Sequence, residues 1–314
     1  MRVIIVYLLY NPTKYGGWLS ACKDALHPLS AQVMEYLVVD NAHPGQWTRK
    51  EPNGDIWIGG DNEAWEFSGW QKALQYLRKK RCDYDVLVLC NDAFRTNIDE
   101  YQRYLSAALL QYVSEHQTSA GVVQYINSHK GLLSDFVLKS VPFKINGLDH
   151  YNWARSNIII IPYKKIISIK YDIYHDRDFF PSEYTENVLA EVKGISKSLK
   201  KHIVTYLCPG KPGAVGNYWH ARFNLDALTY PIFCKKATSI INELHLSRVL
   251  HDNGCPVVDF RLIGALRLID RKCKMVSNML LKMYVKNQNR QNQLLFIYAV
   301  VVERKGVMHK IASR

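Results

Sequence analysis

The sequence predicts an α/β fold with a mostly parallel β-sheet and helices on both faces. Apolar runs rich in Val and Ile alternate with segments of helical periodicity through the first 126 residues. The run 86–90 has no polar face, as expected for a central strand that is covered on both sides. Asn, Asp, Gly or Pro follows several of these runs and marks a turn. Strands that alternate with helices in this way favour a parallel sheet.

The first half of the chain supplies most of the predicted sheet. Strands are predicted over 2–10, 33–39, 55–58, 84–92 and 121–126. Helices are predicted over 16–26, 64–80 and 99–116. The turn Asn11-Pro12 ends the first strand, and Asp40-Asn41 ends the second.

The second half is predicted to hold one strongly β-branched strand and three helices. The strand covers 158–161, and the helices cover 182–199, 237–253 and 262–286. Gly254 is a typical residue for ending the second of these helices. The expected organisation is one domain over residues 1–260, followed by a basic amphipathic helical extension over 261–314.

Charge and cysteine content limit the partners and the compartment. The net charge of +13 favours a polyanionic partner: nucleic acid, an anionic membrane surface or a phosphate-bearing substrate. The basic residues form no nucleic-acid-binding motif, which makes nucleic acid the less favoured partner. Seven cysteines without metal-type or paired spacing indicate a reduced, cytoplasmic protein. No run of eighteen apolar residues predicts a transmembrane helix.

Polar side chains follow four of the predicted strands. They are Asn11, Asp40-Asn41, Asp61-Asn62 and Asn91-Asp92. Each alone is explained as a turn residue or helix cap. Because the carboxyl ends of parallel strands share one edge, the four together favour a ligand site there. Asp40 is a candidate acceptor for a nucleobase or ribose, Gly60 allows close backbone approach, and Asp92 is a candidate ligand for Mg²⁺ or Mn²⁺ beside a diphosphate.

Glu243 is the candidate general base. It lies in the segment 242–254, near the start of the helix predicted over 237–253. One interpretation is a surface carboxylate that interacts favourably with the helix dipole. The other is a base that removes the proton of a sugar hydroxyl. The sequence alone leaves both open.

The order of these segments resembles inverting glycosyltransferases of the GT-A fold, a Rossmann-like architecture, and in particular family-two enzymes. Val38-Val39-Asp40-Asn41, Gly59-Gly60-Asp61-Asn62 and Leu89-Cys90-Asn91-Asp92 match the nucleotide, helix-opening and metal segments of that family. Asn242-Glu243, followed by Leu246-Ser247-Arg248 and Gly254, is similar to its late acidic motif. Rhamnan-synthesis-type polysaccharide glycosyltransferases are more similar still. They carry a Glu where Glu243 stands, and segments like His150, Ser156 and 158–161.

The resemblance implies transfer of a hexosyl or deoxyhexosyl group from a nucleotide-sugar to a glycan or lipid-linked acceptor, with inversion, in polysaccharide synthesis. It implies Glu243 as the base, with Asp149 as the alternative. The implied donor site comprises Asn11, Asp40, Asn41, Gly60, Asp61, Asn91 and Asp92, and Asp92 is the metal ligand. The implied acceptor site comprises Trp153, Arg155, Ser156, Trp219 and His220.

The sequence leaves alternatives open for the C-terminal helix and for the function of the whole chain. The helix predicted over 262–286 is either an ordinary packed helix with a solvated basic face or a peripheral contact with an anionic membrane. The whole chain is alternatively a basic nucleic-acid-binding protein, for which salt-sensitive binding is expected. A third alternative is a non-catalytic nucleotide-sugar-binding module of the same fold.

Overall fold

A computed structural model describes residues 1–10, 17–29, 33–97, 102–125, 142–175, 179–208, 223, 225–260 and 262–263. The strands are β1 Arg2–Leu9, β2 Val33–Asp40, β3 Thr48–Lys50, β4 Ile56–Gly59, β5 Val86–Asn91, β6 Ser119–Tyr125, β7 Phe143–Ile145, β8 Leu148–His150, β9 Asn152–Pro162 and β10 Val257–Asp259. The helices are α1 Trp18–Leu26, α2 Trp65–Lys80, α3 Ala107–His116, α4 Tyr163–Ser168, α5 Val188–Glu191, α6 Lys197–Leu207 and α7 Tyr230–Asp252.

The main sheet has eight strands in the order β10-β6-β9-β5-β1-β2-β4-β3. Strands β5, β1, β2 and β4 pair in parallel, as do β10 and β6. Strand β9 lies antiparallel between β5 and β6, and β3 is an antiparallel edge strand. A second sheet contains β7 and β8. The predicted α/β class, with a mostly parallel sheet and flanking helices, is confirmed.

Apolar clusters cover both faces of the main sheet. Alternate residues of β1 point to opposite faces, so Ile5 packs in the cluster with α1 and α3, while Ile4 packs in the cluster with α2. Trp70 of α2 is fully buried, and burying one such ring contributes roughly 1.5–3 kcal/mol. A third cluster lies between the small sheet, α6 and the first half of α7. Helix α7 therefore joins the small sheet to the main one.

Several predicted boundaries are wrong for identifiable reasons. The helix predicted over 99–116 begins at Ala107, because the Ser106 side chain caps it by accepting from the Leu109 N–H. The helix predicted over 182–199 is replaced by α5 and α6, with Gly194 at φ 77° between them. Helix α7 begins at Tyr230, seven residues earlier than predicted. Strands β3, β7, β8 and β10 were not predicted.

No helix within the described ranges is both long and apolar enough to cross a membrane. The extension predicted over 261–314 lies outside the described residues, except for 262–263.

Candidate functional site

The strand order of the main sheet reverses between β1 and β5, so the carboxyl ends of these two strands are the candidate position for a ligand site. The chain runs from β1 to β2 and β4 on one side and returns to β5 on the other side of β1. In open α/β sheets, ligands bind where the strand order reverses in this way. The two strand ends are joined by a hydrogen bond, because the Tyr10 N–H donates to Asp92 Oδ2 at 2.9 Å. Asp92 is buried, with 6% of its surface exposed.

Asp40 and Asn41 lie at the adjacent end of β2. Asp40 Oδ1 accepts from the backbone N–H groups of Ala42 and His43, and Asp40 Oδ2 lies 2.8 Å from His43 Nδ1. The Asp40 carboxylate therefore holds its own loop. The Asn41 amide donates to the Trp65 carbonyl, and Asn41 Oδ1 is buried without a hydrogen-bond partner among the described residues. This loop is thereby fixed to the start of α2.

Gly60 and Asp61 follow β4. A Cβ added to Gly60 would lie 1.9 Å from Asn41 Oδ1 and 2.9 Å from Asn41 Cα, so only glycine fits beside the buried amide. The Gly60 carbonyl accepts from Lys72 Nζ, and its N–H donates to the Asp40 carbonyl. Asp61 accepts from the Glu63 N–H and is partly exposed. The structure thus sets Asp40, Asn41, Gly60, Asp61, Asn91 and Asp92 along one edge of the sheet.

Ser156 connects three elements at this edge. Its carbonyl accepts from the Asn91 amide at 3.2 Å, its N–H donates to Glu243 Oε1 at 2.9 Å, and its hydroxyl donates to Glu66 Oε1. The pairing of β6 with β9 shifts register between Gly121 and Val123, and this irregularity leaves the Ser156 segment off the regular ladder. β-Bulges of this kind redirect groups beside functional sites.

Glu243 lies on the side of α7 that faces this edge. Burial raises the pKa of the Glu243 carboxyl above its ordinary value, and the nearby charge of Glu66 raises it further. Lys236 and the hydrogen bonds from Ser156 lower it. Lys236 Nζ lies 3.9 Å from Glu66 Oε1 and 4.7 Å from the Trp65 ring centre. The partly buried Glu243 carboxylate therefore belongs to a charged cluster with Glu66 and Lys236 rather than to a solvated helix end.

An aromatic stack borders the cluster. The rings of Tyr10 and Trp65 are nearly parallel, with centres 5.0 Å apart. Trp65 has a positive φ of 54°, which is uncommon for a bulky residue. Strained backbone of this kind is concentrated at functional sites. Together, Tyr10, Trp65 and Lys236 link the end of β1 to α7.

Other predicted site residues lie elsewhere or outside the description. Asp149 is on the small β7-β8 sheet, where its carboxylate pairs with Lys144 at 3.2 Å. Trp153 is buried in the third apolar cluster against Phe143. Arg155 is partly exposed, one residue before Ser156. Asn11, Trp219 and His220 lie outside the described residues.

Sequence reasoning missed Glu66, Lys236 and Tyr10. In the sequence, Glu66 looks like an ordinary acidic residue in the first turn of a helix, and Lys236 is one of many basic residues. Only the packing of α2 against α7 brings them together. Tyr10 was assigned to a strand rather than to a site.

The metal-binding prediction rests on few ligands. No cluster of three or more His, Cys, Asp or Glu side chains able to hold a metal ion occurs in the part of the chain that the structure describes. Mg²⁺, however, is commonly held by one or two carboxylates together with substrate phosphates. Asp92 supplies one carboxylate, and within the described ranges the neighbouring Asn91 Oδ1 is buried without a hydrogen-bond partner. Asp92 and Asn91 are therefore the candidate ligands for an ion that arrives with a diphosphate.

Comparison with known proteins gives limited similarity. No family model matches the chain, and no curated protein matches it. Among solved structures, S. aureus TarS 1-349 aligns at 12% identity with a TM-score of 0.28, over 62% of this chain and 56% of that one. This chain therefore spans little more than half of that structure. Mannosyltransferase PcManGT from Pyrobaculum calidifontis, solved with GDP-Man and Mn²⁺, aligns at 11% identity with a TM-score of 0.33, over 97% and 88%. At these scores the alignments assign no family.

Proposed function

We propose that this protein is a glycosyltransferase that moves a sugar from a nucleotide-sugar to an acceptor hydroxyl at the carboxyl edge of its main sheet. The observation that supports the proposal is the convergence at Ser156. This residue contacts Asn91, beside Asp92 at the end of β5, and it also contacts Glu243 on α7. A candidate diphosphate site and a candidate base thus share one edge.

Glu243 is suited to accept a proton. A carboxylate with a raised pKa is a stronger base than an ordinary solvated one, and general bases work best with a pKa near the working pH. In the proposed step, the acceptor O–H bond breaks and its proton goes to Glu243. The acceptor oxygen forms a bond to the anomeric carbon from the side opposite the phosphate. The bond from carbon to phosphate oxygen breaks, and its electron pair leaves with the nucleoside diphosphate. The anomeric configuration is thereby inverted.

The other strand ends suit the donor. Asp40, Asn41 and Gly60 form a rigid loop edge for the nucleoside, and Tyr10 presents an aromatic ring beside it. Asp92, with Asn91, would hold Mg²⁺ or Mn²⁺, which supplies positive charge to neutralise the diphosphate. We prefer Glu243 to Asp149 as the base because Asp149 belongs to the separate small sheet and pairs with Lys144. Among the acceptor residues, Arg155 and Ser156 adjoin the proposed site, whereas Trp153 is buried away from it.

A thermal-shift panel tests the donor site. Purified protein is heated with UDP, GDP, CDP or ADP, each with and without Mn²⁺. We expect at least one nucleoside diphosphate to raise Tm, and we expect the increase in Tm to be larger when Mn²⁺ is present. A ligand at 100 times its Kd stabilises a protein by about 2.7 kcal/mol, which is easily measured. No shift with any nucleoside diphosphate at millimolar concentration contradicts the proposal.

Two further assays, of nucleoside diphosphate release and of nucleic-acid binding, separate the alternatives. A non-catalytic module would give the same shift but would release no nucleoside diphosphate from the matching nucleotide-sugar when candidate acceptors are added. A nucleic-acid-binding protein would instead bind duplex or single strands with steep salt dependence.

A further inference from the structure

Glu66 is the buried carboxylate that the proposed transfer step leaves without a role. It lies in the first turn of α2, with 4% of its surface exposed. Its Oε1 accepts the Ser156 hydroxyl and lies 3.9 Å from Lys236 Nζ. Burying a charged group is costly unless it is paired and hydrogen-bonded, and both conditions are met here. A helix start needs no buried and paired carboxylate, so the contacts of Glu66 with Ser156 and Lys236 point to a role at the site.

Ser156 ties Glu66 to Glu243. The backbone N–H of this one residue binds Glu243, while its hydroxyl binds Glu66. The two carboxylates therefore converge on the same residue from α2 and α7. Because Glu66 carries the same charge, it disfavours ionisation of Glu243. The hydrogen bonds fix their orientation.

We propose that Glu66 is a positioning residue for Glu243: through Ser156 and through its own charge, it holds the Glu243 carboxylate as a strong proton acceptor at the carboxyl end of β5. The inference rests on the proposed function, since it assigns Glu66 a role in the same transfer step. Glu66 itself does not touch the reacting atoms in this account.

Other charged and titratable groups face Glu243 and bear on the same equilibrium. Lys236, on α7 itself, opposes Glu66 by favouring the ionised form of Glu243. Tyr206 of α6 also lies in this environment, where burial raises the pKa of its hydroxyl, the charges of Glu243 and Glu66 raise it further, and Arg155 lowers it. The contribution of Glu66 must therefore be measured by changing its charge alone.

Glu66→Gln makes that change. The amide keeps an oxygen that accepts the Ser156 hydroxyl but removes the charge. We expect the titration midpoint of Glu243 to move to lower pH, because the like charge that disfavoured its ionisation is gone. The measurement is carboxyl ¹³C NMR of the full chain labelled at Glu, with the Glu243 signal assigned by its loss in Glu243→Gln. Glu63→Gln is the matched control: it makes the same change at an exposed site three residues away and should leave the midpoint unmoved.

A purely structural Glu66 gives a different pattern. If the role of Glu66 is only structural, the Glu66→Ala protein is less stable than the wild type. Glu66→Gln, which keeps the hydrogen bond to Ser156, then leaves the titration midpoint of Glu243 unmoved. An unmoved midpoint in folded Glu66→Gln protein overturns the inference. Where transfer is measured, the acid limb of the kcat/KM profile should move to lower pH in parallel, and an unchanged limb also overturns it.

The two proposals fail separately. If no nucleotide-sugar is turned over but the Glu243 midpoint falls in Glu66→Gln, the carboxylate coupling stands and the transferase proposal fails. If transfer occurs and the acid limb of the kcat/KM profile is the same in the wild type and in Glu66→Gln, the transferase proposal stands and Glu66 has no positioning role.

Discussion

Glu243→Gln is expected to reduce sugar transfer by about 10²- to 10⁴-fold, the usual contribution of a positioned general base. Glutamine is nearly the same size and still offers an oxygen to the Ser156 N–H, so the local hydrogen bond at 2.9 Å can persist. What the amide loses is the ability to accept the acceptor's proton. The effect should therefore fall on kcat, while nucleoside diphosphate binding in the thermal-shift assay is retained.

The control for Glu243→Gln is Glu115→Gln. Glu115 is exposed near the end of α3, and its carboxylate accepts from the Gln111 side chain. This variant should transfer sugar at the wild-type rate. Near-normal turnover by Glu243→Gln would place the base elsewhere, and Asp149→Asn would then be the next variant to test.

Asp92→Asn is expected to have the second largest effect. The amide oxygen can still accept the Tyr10 N–H, so the junction of β1 and β5 should stay intact. The loss of negative charge weakens the hold on a divalent cation. Even outer-shell partners of metal sites contribute about 10- to 100-fold in affinity or activity, so a direct ligand should contribute at least as much. We expect transfer to fall by about that factor and the Mn²⁺ concentration for half-maximal activity to rise.

Asp83→Asn is the matched control for Asp92→Asn, because Asp83 is exposed and precedes β5 at the opposite edge of the sheet. It should leave both the rate and the Mn²⁺ dependence unchanged. If Asp92→Asn keeps the wild-type Mn²⁺ dependence, Asp92 is not the metal ligand. Equal activity of the wild type with and without a chelator would remove the metal from the account.

The sheet was predictable because its signals are local. Buried strands such as β1 and β5 are continuous apolar runs, and their polar ends mark the turns. Strand β9 was recognised from its run of Ile, but its antiparallel insertion between β5 and β6 was not predicted, because pairing partners are set by distant residues. The break at Gly194 depends on a single positive φ that periodicity does not reveal.

The residues of the candidate site likewise fall into those that the local sequence predicts and those that only the packing brings together. Asp40, Asn41, Gly60, Asn91 and Asp92 were found because strand ends are readable in the sequence. Glu66 and Lys236 join Ser156 in a cluster only when α2, α7 and β9 meet, and nothing in the local sequences of Glu66 and Lys236 distinguishes them from surface residues. The resemblance to glycosyltransferases identified Glu243 and Ser156 separately, whereas the hydrogen bond between them is a property of the fold.

Hydrogen exchange with a bound nucleoside diphosphate tests the central claim most directly, because it reports where the ligand binds. The nucleoside diphosphate that gives the largest thermal shift is added at saturation with Mn²⁺, and peptide protection is measured by mass spectrometry. Protection is predicted at the carboxyl ends of β1, β2, β4 and β5, in peptides that contain Tyr10, Asn41, Gly60 and Asp92. Protection confined to other surfaces, with these four strand ends unchanged, would contradict the account.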